Sequence, residues 1–346
     1  MKHQTTRYGE IPFYKIGTFG NTADAFISKK LFLEYKTKYS FPKKGDILIS
    51  ASGTIGRAVI YDGKPAYFQD SNIVWIDNDE TLVKNNFLFY AYSNVKWDTE
   101  HTTILRLYND NFRNTLIPLP PLNEQSAIAN ILSALDRYLC ALDALILKKE
   151  GVKKALSFEL LSQRKRLKGF NQAWQKVRLG DIANYLTSNL SVEQITQQGK
   201  IKVYDVNNFI GYTDTTFISD KPYISIVKDG SVGRVRILPP KTNILSTMGA
   251  LIANHRTTTE FLFYLLSNFD FKNFISGSII PHIYFKDYKE KTIFLPPLNE
   301  QSAIANILSA LDNEITSLKN KKRQFENIKK ALNHDLMSAK IRVLEK

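Results

Sequence analysis

A short glycine element that ends in arginine occurs twice in this chain. It reads Gly53-Thr-Ile-Gly-Arg57 in the first half and Gly230-Ser-Val-Gly-Arg234 in the second. Glycine permits tight turns and close approach of the backbone to a ligand, and a guanidinium can donate several hydrogen bonds to phosphate. Two interpretations stay open at this point. The element contacts a nucleic-acid backbone, or it is a glycine-dependent turn whose arginine is an ordinary surface residue.

Net charge favours a polyanionic partner. Lys and Arg number 47 against 33 Asp and Glu, which gives a formal net charge of +14. Such an excess is typical of proteins that bind nucleic acid, although a merely basic soluble protein would show it too. Besides the two arginines, the candidate DNA contacts are Lys43, Lys44, Arg106, Lys228, Arg236 and Lys241.

Catalytic patterns are weak in this sequence. It contains no phosphate-binding loop of the form GxxxxGK(S/T) and no GxGxxG after a strand. The single cysteine, Cys140, excludes internal disulfides and cysteine-rich zinc sites. Asp24 with Glu34 and Lys36 fits a loose metal-nuclease pattern, an acid followed by ExK, and the second half has no equivalent. A stand-alone nuclease is therefore one alternative function.

Composition indicates a folded protein without membrane spans. Hydrophobic residues make up 43% and aromatic residues 12% of the chain, as in globular proteins. No apolar run approaches the roughly 20 residues that cross a bilayer, and the first residues lack the apolar region of a secretory signal. We therefore predict a cytoplasmic protein.

An internal repeat organises the whole chain. Residues 119–136 and 295–312 both read LPPLNEQSAIANILSALD, which makes them identical at an offset of 176. Chance does not produce 18 consecutive identities, so the segment is a duplication. The predicted plan is a globular unit, a helix, a second globular unit and a second helix, with boundaries at 1–118, 119–169, 170–294 and 295–346.

Each duplicated segment is predicted to begin a long helix. Asn123 and Asn299 are the candidate N-caps, and Glu124 and Glu300 follow in the first turn, where a carboxylate favours the helix dipole. Each helix can reach about 40 residues, and Gly169 is a candidate end of the first.

Apolar residues along both helices alternate at spacings of four and three, which predicts an antiparallel coiled coil of about four heptads. The alternative is that each helix is buried only by its own globular unit. Tyr138 against Glu314 and Lys149 against Phe325 break strict symmetry between the two copies. The predicted seams are Ile131, Leu135, Tyr138, Leu142, Leu145, Lys149, Val152 and Leu156, and then Ile307, Leu311, Glu314, Leu318, Lys321, Phe325, Ile328 and Leu332.

The two globular segments carry short β-type runs closed by turn signals. Asp46-Ile-Leu-Ile-Ser50 is one, and Tyr223-Ile-Ser-Ile-Val227, which is followed by Asp229-Gly230, is another. Phe87–Asn94 and Thr259–Asn268 suit short apolar helices. The predicted fold class is therefore α+β: two globular domains separated by two long helices in a pseudo-twofold repeat.

The repeated PLxEQxxIxxxLxxLD block resembles the start of the conserved helical regions of type I restriction-modification specificity (S) subunits. It occurs at 121–136 and again at 297–312. The opening Trp174-x-x-Val-x-Leu-Gly-Asp-Ile182 resembles the start of a target recognition domain of that family, and so do the GxxG elements and Gly277-Ser-Ile-Ile280. The resemblance covers nearly the whole chain.

This resemblance implies a non-catalytic, DNA-binding subunit. Each target recognition domain would read one half of a split double-stranded DNA site, with the helices as a ruler between the halves. Modification methyltransferase subunits and a restriction/translocase subunit would be the partners, and S-adenosylmethionine, ATP and Mg²⁺ would bind to those partners, leaving this chain without a cofactor. The expected partner-binding residues are those that start the helices: Asn123, Glu124, Gln125, Asn299, Glu300 and Gln301.

One departure separates the two copies. The second globular unit opens with about 20 residues, from Phe170 to Leu190, that have no counterpart in the first, because position 1 already corresponds to about position 191. We therefore expect the first domain to be shorter at its start.

A coiled-coil interaction protein whose basic character is incidental remains a third alternative.

Overall fold

The structure is a computed structural model that describes residues 4–68, 72–97 and 106–343. The chain divides into two units. One comprises Met1–Asp143 with Asn320–Lys346, and the other comprises Ala144–Lys319. Both units therefore contain one globular domain together with part of each long helix, whereas the boundaries predicted from sequence keep each helix whole.

The globular domain of the first unit contains two three-stranded sheets, ordered β2-β1-β5 and β4-β3-β6. Strands β1 and β2 are antiparallel and β1 and β5 parallel, while both pairings in the second sheet are antiparallel. The elements are β1 Ile11–Tyr14, β2 Ala25–Ile27, α1 Lys29–Lys38, β3 Ile47–Ser50, β4 Ala58–Ile60, β5 Tyr67–Phe68, β6 Ile73–Trp75, α2 Asn85–Asn94, α3 Asn109–Arg113 and the long helix α4 Leu122–Leu161.

The second unit repeats this arrangement with additions. Its sheets are ordered β10-β9-β13, β12-β11-β14-β8 and β15-β7. The elements are β7 Gln175–Arg178, β8 Ala183–Thr187, β9 Ile201–Tyr204, β10 Phe209–Thr213, β11 Tyr223–Val227, β12 Val235–Leu238, β13 Thr242–Ile244, β14 Met248–Ala253, α5 Thr259–Ser267, α6 Phe285–Tyr288, β15 Thr292–Leu295 and the long helix α7 Leu298–Met337.

Strand pairing confirms the α+β repeat. The order β2-β1-β5 has the same mixture of antiparallel and parallel pairs as β10-β9-β13, and β4-β3-β6 corresponds to β12-β11-β14. The extra segment at the start of the second domain forms β7 and β8, which pair with β15 and β14 respectively. Helix α1 is an addition of the first domain.

The two long helices are each 40 residues long, as expected, but their ends differ from prediction. They begin at Leu122 and Leu298, so Asn123 and Asn299 lie inside the first turn and are not the N-caps. Each asparagine still accepts a hydrogen bond at 2.9 Å from the backbone N–H of the following glutamate. The first helix ends at Leu161, well before Gly169.

The buried stripe on each helix has the predicted heptad spacing. At every second position, however, the buried residue is the one that follows the predicted seam residue. Ile131, Leu145 and Val152 of the predicted seam are exposed, whereas the neighbouring residues Leu132 and Ile146 are buried. Burial follows one pattern in both copies at the offset of 176. It covers positions 128, 132, 135, 139, 142, 146, 149, 153, 156 and 160, and then 304, 308, 311, 315, 318, 322, 325, 329, 332 and 336.

In the first unit the beginning of α4 packs against the end of α7 in opposite directions. The rings of Tyr138 and Phe325 lie 4.7 Å apart, and Lys329 pairs with Asp136 at 2.5 Å. Ile128 belongs to the same apolar cluster as Leu336. Rising residue numbers on one helix therefore meet falling numbers on the other, which is the antiparallel arrangement expected from sequence.

In the second unit the end of α4 packs against the beginning of α7 in the same antiparallel way. Lys149 pairs with Glu314 at 2.8 Å and Lys153 with Asp312 at 2.5 Å, and Leu160 shares a core with Ile304. The positions that seemed to break the symmetry are thus chemically matched, because an aromatic ring meets a ring in one unit and a lysine meets a glutamate in the other.

A tyrosine attaches each globular domain to its helix pair. The hydroxyl of Tyr90 in α2 donates to Asp136 at 2.7 Å, and the hydroxyl of Tyr264 in α5 donates to Asp312 at 2.9 Å. Burial and the neighbouring carboxylate raise the pKa of both tyrosines, so both stay protonated as donors. Each aspartate also forms an ion pair with a lysine of the other long helix, Lys329 or Lys153. In each unit the short domain helix and both long helices are thus joined at one point.

None of the helices in the described ranges has both the length and the apolar character that a membrane span requires.

The displaced seam makes a stability prediction for two neighbouring residues. Leu132 is fully buried and Ile131 is 37% exposed. Leu132→Ala should lower the free energy of unfolding by about 2–5 kcal/mol, because it removes buried methyl groups and leaves a cavity. Ile131→Ala should lower it by less than about 1 kcal/mol. Denaturant unfolding of both variants checks this, and a larger loss for Ile131→Ala would restore the seam predicted from sequence.

Candidate nucleic-acid interface

The first glycine element forms the turn between β3 and β4. Gly53 and Gly56 have positive φ angles of 69° and 80°, a region that L-residues with side chains rarely adopt. The Gly56 N–H donates to the Ser50 carbonyl at 3.0 Å, and the Ser50 N–H donates to the Arg57 carbonyl at 3.0 Å. Arg57 is therefore the last residue of the turn and immediately precedes β4.

The second element forms the same turn between β11 and β12. Gly230 and Gly233 have φ angles of 83° and 80°. The Gly233 N–H donates to the Val227 carbonyl and the Val227 N–H to the Arg234 carbonyl, both at 2.9 Å. These two backbone hydrogen bonds are thus the same in both turns.

An aromatic ring lies against the second glycine of each turn. A Cβ atom on Gly56 would come within 2.1 Å of Nε1 of Trp97, and one on Gly233 within 2.7 Å of Cδ2 of Phe271. Backbone conformation and ring packing together account for both glycines. Both units therefore contain the glycine-dependent turn, which was one of the two interpretations. The other interpretation, a contact between the arginines and a nucleic-acid backbone, is compatible with this turn.

Both turn arginines are exposed. Nη1 of Arg57 donates a hydrogen bond to the carbonyl of Phe19 at 3.1 Å. This bond orients the guanidinium group and does not involve its other N–H donors. Exposed guanidinium groups beside a tight turn suit contacts to phosphate, which position a protein on a duplex.

A second chain segment flanks each turn. The Leu107 N–H donates to the Ala51 carbonyl at 2.8 Å, and the Ile283 N–H donates to the Lys228 carbonyl at 2.9 Å. These equivalent bonds place Arg106 beside the first turn and His282 beside the second, and Lys228 lies at the start of the second turn itself. The structure therefore gathers Arg57 with Arg106 at one turn, and Arg234 with Lys228 at the other.

His282, which no pattern in the sequence singled out, occupies the position of Arg106 in the second unit. Its ring Nδ1 lies 2.6 Å from Oδ1 of Asp229 in the turn. The loop before it is held by Gly277, at φ 87°, and carries Ile279, which is 93% exposed. Only the offset of 176 from Arg106 could have pointed to this histidine, because isolated histidines carry no spacing signal.

The other candidate DNA contacts lie elsewhere in the domains. Lys43 and Lys44 precede β3, at the opposite end of its hairpin from Arg57, and Lys43 pairs with Asp77 at 3.0 Å, which raises the Lys43 pKa. Lys241 lies at the corresponding far end of β12 with φ 57°. Arg236, within β12, donates to the Asn207 carbonyl and stacks over Tyr204.

The residues of the nuclease alternative have other contacts. Asp24 pairs with Lys15 at 2.8 Å, and the Lys36 ammonium lies 5.4 Å from the centre of the Phe41 ring. In the described part of the chain, no group of three or more His, Cys, Asp or Glu side chains is arranged to hold a metal ion.

The glutamines in the first turns of the long helices form hydrogen bonds to the backbone of their own domains. Gln125 and Gln301 are fully buried. The side-chain oxygen of Gln125 accepts from the Lys84 N–H at 2.8 Å, and that of Gln301 accepts from the Thr258 N–H at 3.0 Å. Each amide also donates to two carbonyls, so the start of each long helix is bonded to the start of the shorter domain helix.

The neighbouring glutamates are buried in ion pairs. Glu124 accepts two hydrogen bonds from Arg342 at 2.7 and 2.8 Å, which hold its pKa below the ordinary value. Glu300 accepts from Arg166 at 2.6 Å and from Trp174 Nε1 at 3.0 Å. Both carboxylates are thus occupied inside their own units.

This burial corrects the expected docking surface. The side chains of Glu124, Gln125, Glu300 and Gln301 are enclosed and bonded within the chain, so they do not form an exposed surface. Among the residues that both duplicated segments expose are polar and small residues at helical spacing, which we call the polar stripe. It comprises Asn123, Ser126, Asn130 and Ala134 on α4, and Asn299, Ser302, Asn306 and Ala310 on α7.

Comparison with known families agrees with this duplicated architecture. The family model described as the type I restriction modification DNA specificity domain matches residues 1–149 and again 171–327. Two such domains define a DNA-recognition protein of restriction-modification systems. The chain belongs to the type I restriction-modification specificity subunits, with two repeated recognition domains.

Relatives of this family are found in distant organisms. A Haemophilus influenzae protein named as a type I restriction enzyme specificity subunit is 65% identical over 133 residues, which is 38% of this chain and 34% of that protein. The match therefore spans about a third of that relative's length. A Methanocaldococcus jannaschii protein named as the MjaX specificity subunit is 28% identical over 86% of this chain and 79% of its own length.

Solved structures share the fold. The type I restriction-modification S subunit from M. genitalium superposes with a TM-score of 0.64 at 20% identity, over 97% of this chain and 91% of that one. A chain from a structure concerned with complex assembly and conformational transition of the type I R-M system gives a TM-score of 0.56 at 17% identity, over 85% and 82%.

The turn arginines make a prediction about DNA binding. Arg57→Ala and Arg234→Ala should each weaken binding by a similar factor on every duplex, and each should reduce the slope of log affinity against log salt by about 1, because one phosphate contact is lost. Fluorescence titration at several salt concentrations measures both quantities. Arg137→Ala, an exposed arginine on α4, is the control. A variant slope equal to that of the parent protein would leave the turns without a phosphate contact.

Proposed function

We propose that this protein recognises a split, asymmetric double-stranded DNA target, with each globular domain contacting one half-site. The observation that supports this most directly is the duplicated turn with its exposed arginine. It occurs once in each of two domains that match the DNA specificity family. One phosphate-positioning element per domain suits two separate contacts with a duplex.

Asymmetry of the target follows from the differences around the two turns. The first turn is flanked by Arg106, and the second by His282 paired with Asp229 beside the exposed Ile279. Phosphate contacts carry no sequence information, whereas base-edge contacts depend on the identity of the groups offered. Two different sets of groups should therefore read two different half-sites.

Modification methyltransferase subunits are the proposed direct partners. The polar stripe is the same in both copies and is exposed in both, so it offers two equivalent docking surfaces. Under this proposal S-adenosylmethionine binds to those subunits, and ATP and Mg²⁺ are used by them or by a restriction/translocase subunit. This chain supplies recognition and no chemistry.

Reconstitution with purified partners tests the proposed function. The protein alone should neither methylate nor cleave DNA, and sequence-specific adenine methylation should appear when modification subunits and S-adenosylmethionine are added. Magnesium-dependent cleavage by the protein alone, abolished by Glu34→Ala, would instead establish the nuclease alternative. Absence of duplex binding with and without partners would leave a coiled-coil interaction protein.

The docking stripe makes a prediction of its own. Ala134→Arg and Ala310→Arg each place a long charged side chain on an exposed small residue of one copy. Either variant should therefore bind one modification subunit instead of two, and the double variant should reduce capture at least tenfold, with thermal unfolding unchanged in all three. Size-exclusion chromatography of the mixed subunits measures capture. Asn327→Arg, also exposed on α7 but outside the stripe, is the matched control. Full capture by the double variant would exclude the stripe as the docking surface.

A further inference from the structure

One histidine of the second domain is held between two chain segments beside the glycine turn. The His282 N–H donates to the Ser276 carbonyl at 2.7 Å, and the Ser276 N–H donates to the His282 carbonyl at 2.9 Å. On its other side, His282 forms an antiparallel bridge with Asp229, the residue before Gly230 of the turn. Backbone pairing on both sides therefore fixes the position of His282 in a small β-ribbon.

The carboxylate of Asp229 determines which nitrogen of the His282 ring carries the proton. Nδ1 of the ring lies 2.6 Å from Oδ1 of Asp229. A carboxylate only accepts hydrogen bonds, and a neutral imidazole has one N–H donor and one acceptor nitrogen. The proton of the neutral ring therefore lies on Nδ1, and Nε2 is left as a hydrogen-bond acceptor.

Nε2 of His282 is available to a ligand. It has no hydrogen-bond partner among the residues that the structure describes, and the side chain is 34% exposed. Lys228 and the exposed Arg234 belong to the same turn and supply positive charge beside it. An acceptor held at a fixed position, next to groups that attract phosphate, suits a contact with the edge of a base.

The first domain offers the opposite hydrogen-bonding character at the equivalent position. Arg106 forms with Ser52 the same antiparallel bridge that His282 forms with Asp229. Arg106 is exposed, and its guanidinium has no partner within the described part of the chain. A guanidinium only donates, so it suits the acceptors N7 and O6 of guanine, whereas the acceptor nitrogen of a neutral histidine requires a donor.

The β-ribbon around His282 suits the major groove of a DNA duplex. Its residues 228–230 and 281–283 are antiparallel, because the Ile283 N–H donates to the Lys228 carbonyl and the Gly230 N–H to the Pro281 carbonyl, both at 2.9 Å. The major groove is about 12 Å wide and admits a two-stranded ribbon, whereas the minor groove is only about 6 Å wide. The donors that bases present in the major groove are the amino groups N6 of adenine and N4 of cytosine.

From these observations we propose that Nε2 of His282 accepts a hydrogen bond from the amino group of an adenine or a cytosine in the major groove of the second half-site. Asp229 is a positioning residue, because it keeps this nitrogen an acceptor. His282 is then a specificity-determining residue, whereas Arg234 positions the domain on phosphate. This contact rests on the proposed function, since it names one base contact of the second domain.

Selection from a random duplex library identifies the base position. The full-length protein in complex with modification subunits is the bait, and the selected duplexes are sequenced. His282→Arg combined with Asp229→Ser gives the second domain the residues of the first, so it should change one adenine or cytosine of the second half-site to guanine. The first half-site should stay unchanged. His255→Arg, at an exposed histidine beyond the opposite end of β14, is the matched control and should select the parent target.

A base analogue without the amino group measures the contact itself. Purine in place of adenine, or 4-deaminated cytosine in place of cytosine, removes only that group from the selected duplex. The resulting loss of affinity should be about fivefold larger for the parent than for His282→Ala, as expected of one hydrogen bond. Misfolding of a variant would weaken both duplexes equally, so this cycle separates a direct contact from a structural role. Asp229→Ala should reduce the difference, because the proton is then no longer confined to Nδ1.

Three results would overturn the contact. The base that the double variant changes is guanine or thymine in the parent target, neither of which offers an amino group in the major groove. The double variant selects the parent target, or the analogue weakens the parent and His282→Ala equally. A parent protein that selects no sequence would instead overturn the proposed function, and this contact with it.

Discussion

Antiparallel pairing of α4 with α7 is the interaction on which both units depend. Within each unit the contacts are chemically matched, with Tyr138 against Phe325 in the first and Lys149 against Glu314 in the second. A parallel arrangement would not bring these partners together. Lys149 and Phe325 belong to the buried seam, and a polar residue at a seam position commonly fixes the register of a coiled coil.

Each globular domain is attached to this helix pair by the same few bonds. A buried glutamine joins the start of the long helix to the backbone of the domain, and a tyrosine joins the domain to an aspartate that also holds a lysine of the opposite helix. Breaking such a buried network leaves polar groups without partners, which is costly. Attachment of the domains therefore explains why part of the duplicated segment is the same in both copies.

Sequence reasoning predicted the helix length and the heptad spacing, but not the phase of the seam. Apolar residues stand side by side at Ile131 and Leu132 and again at Leu145 and Ile146, so the pattern could not choose between them. At Lys153 the seam residue is charged, because Asp312 pairs with it across the helices. An apolar pattern does not detect a half-buried lysine that is held by such a partner.

The candidate DNA contacts were predictable to a similar degree. The glycine turns carry a strong local signal, since positive φ angles require glycine. Which basic residues gather at those turns depends on strand pairing between distant segments. That pairing brings Arg106 to the first turn while leaving Lys43 at the far end of the hairpin. His282 was missed for the same reason.

The family resemblance implies that the helices set the spacing of a split target, and lengthening both helices tests this most directly. Seven residues inserted between Asp143 and Ala144, and seven between Lys319 and Asn320, fall between the two units and leave the contacts within each unit in place. Two turns of helix add roughly 10 Å, or about three base pairs at 3.4 Å each. Sequencing of methylated bases in cells that carry the variant system should show both half-sites unchanged and the spacer longer by about that number. An unchanged spacer would contradict the account.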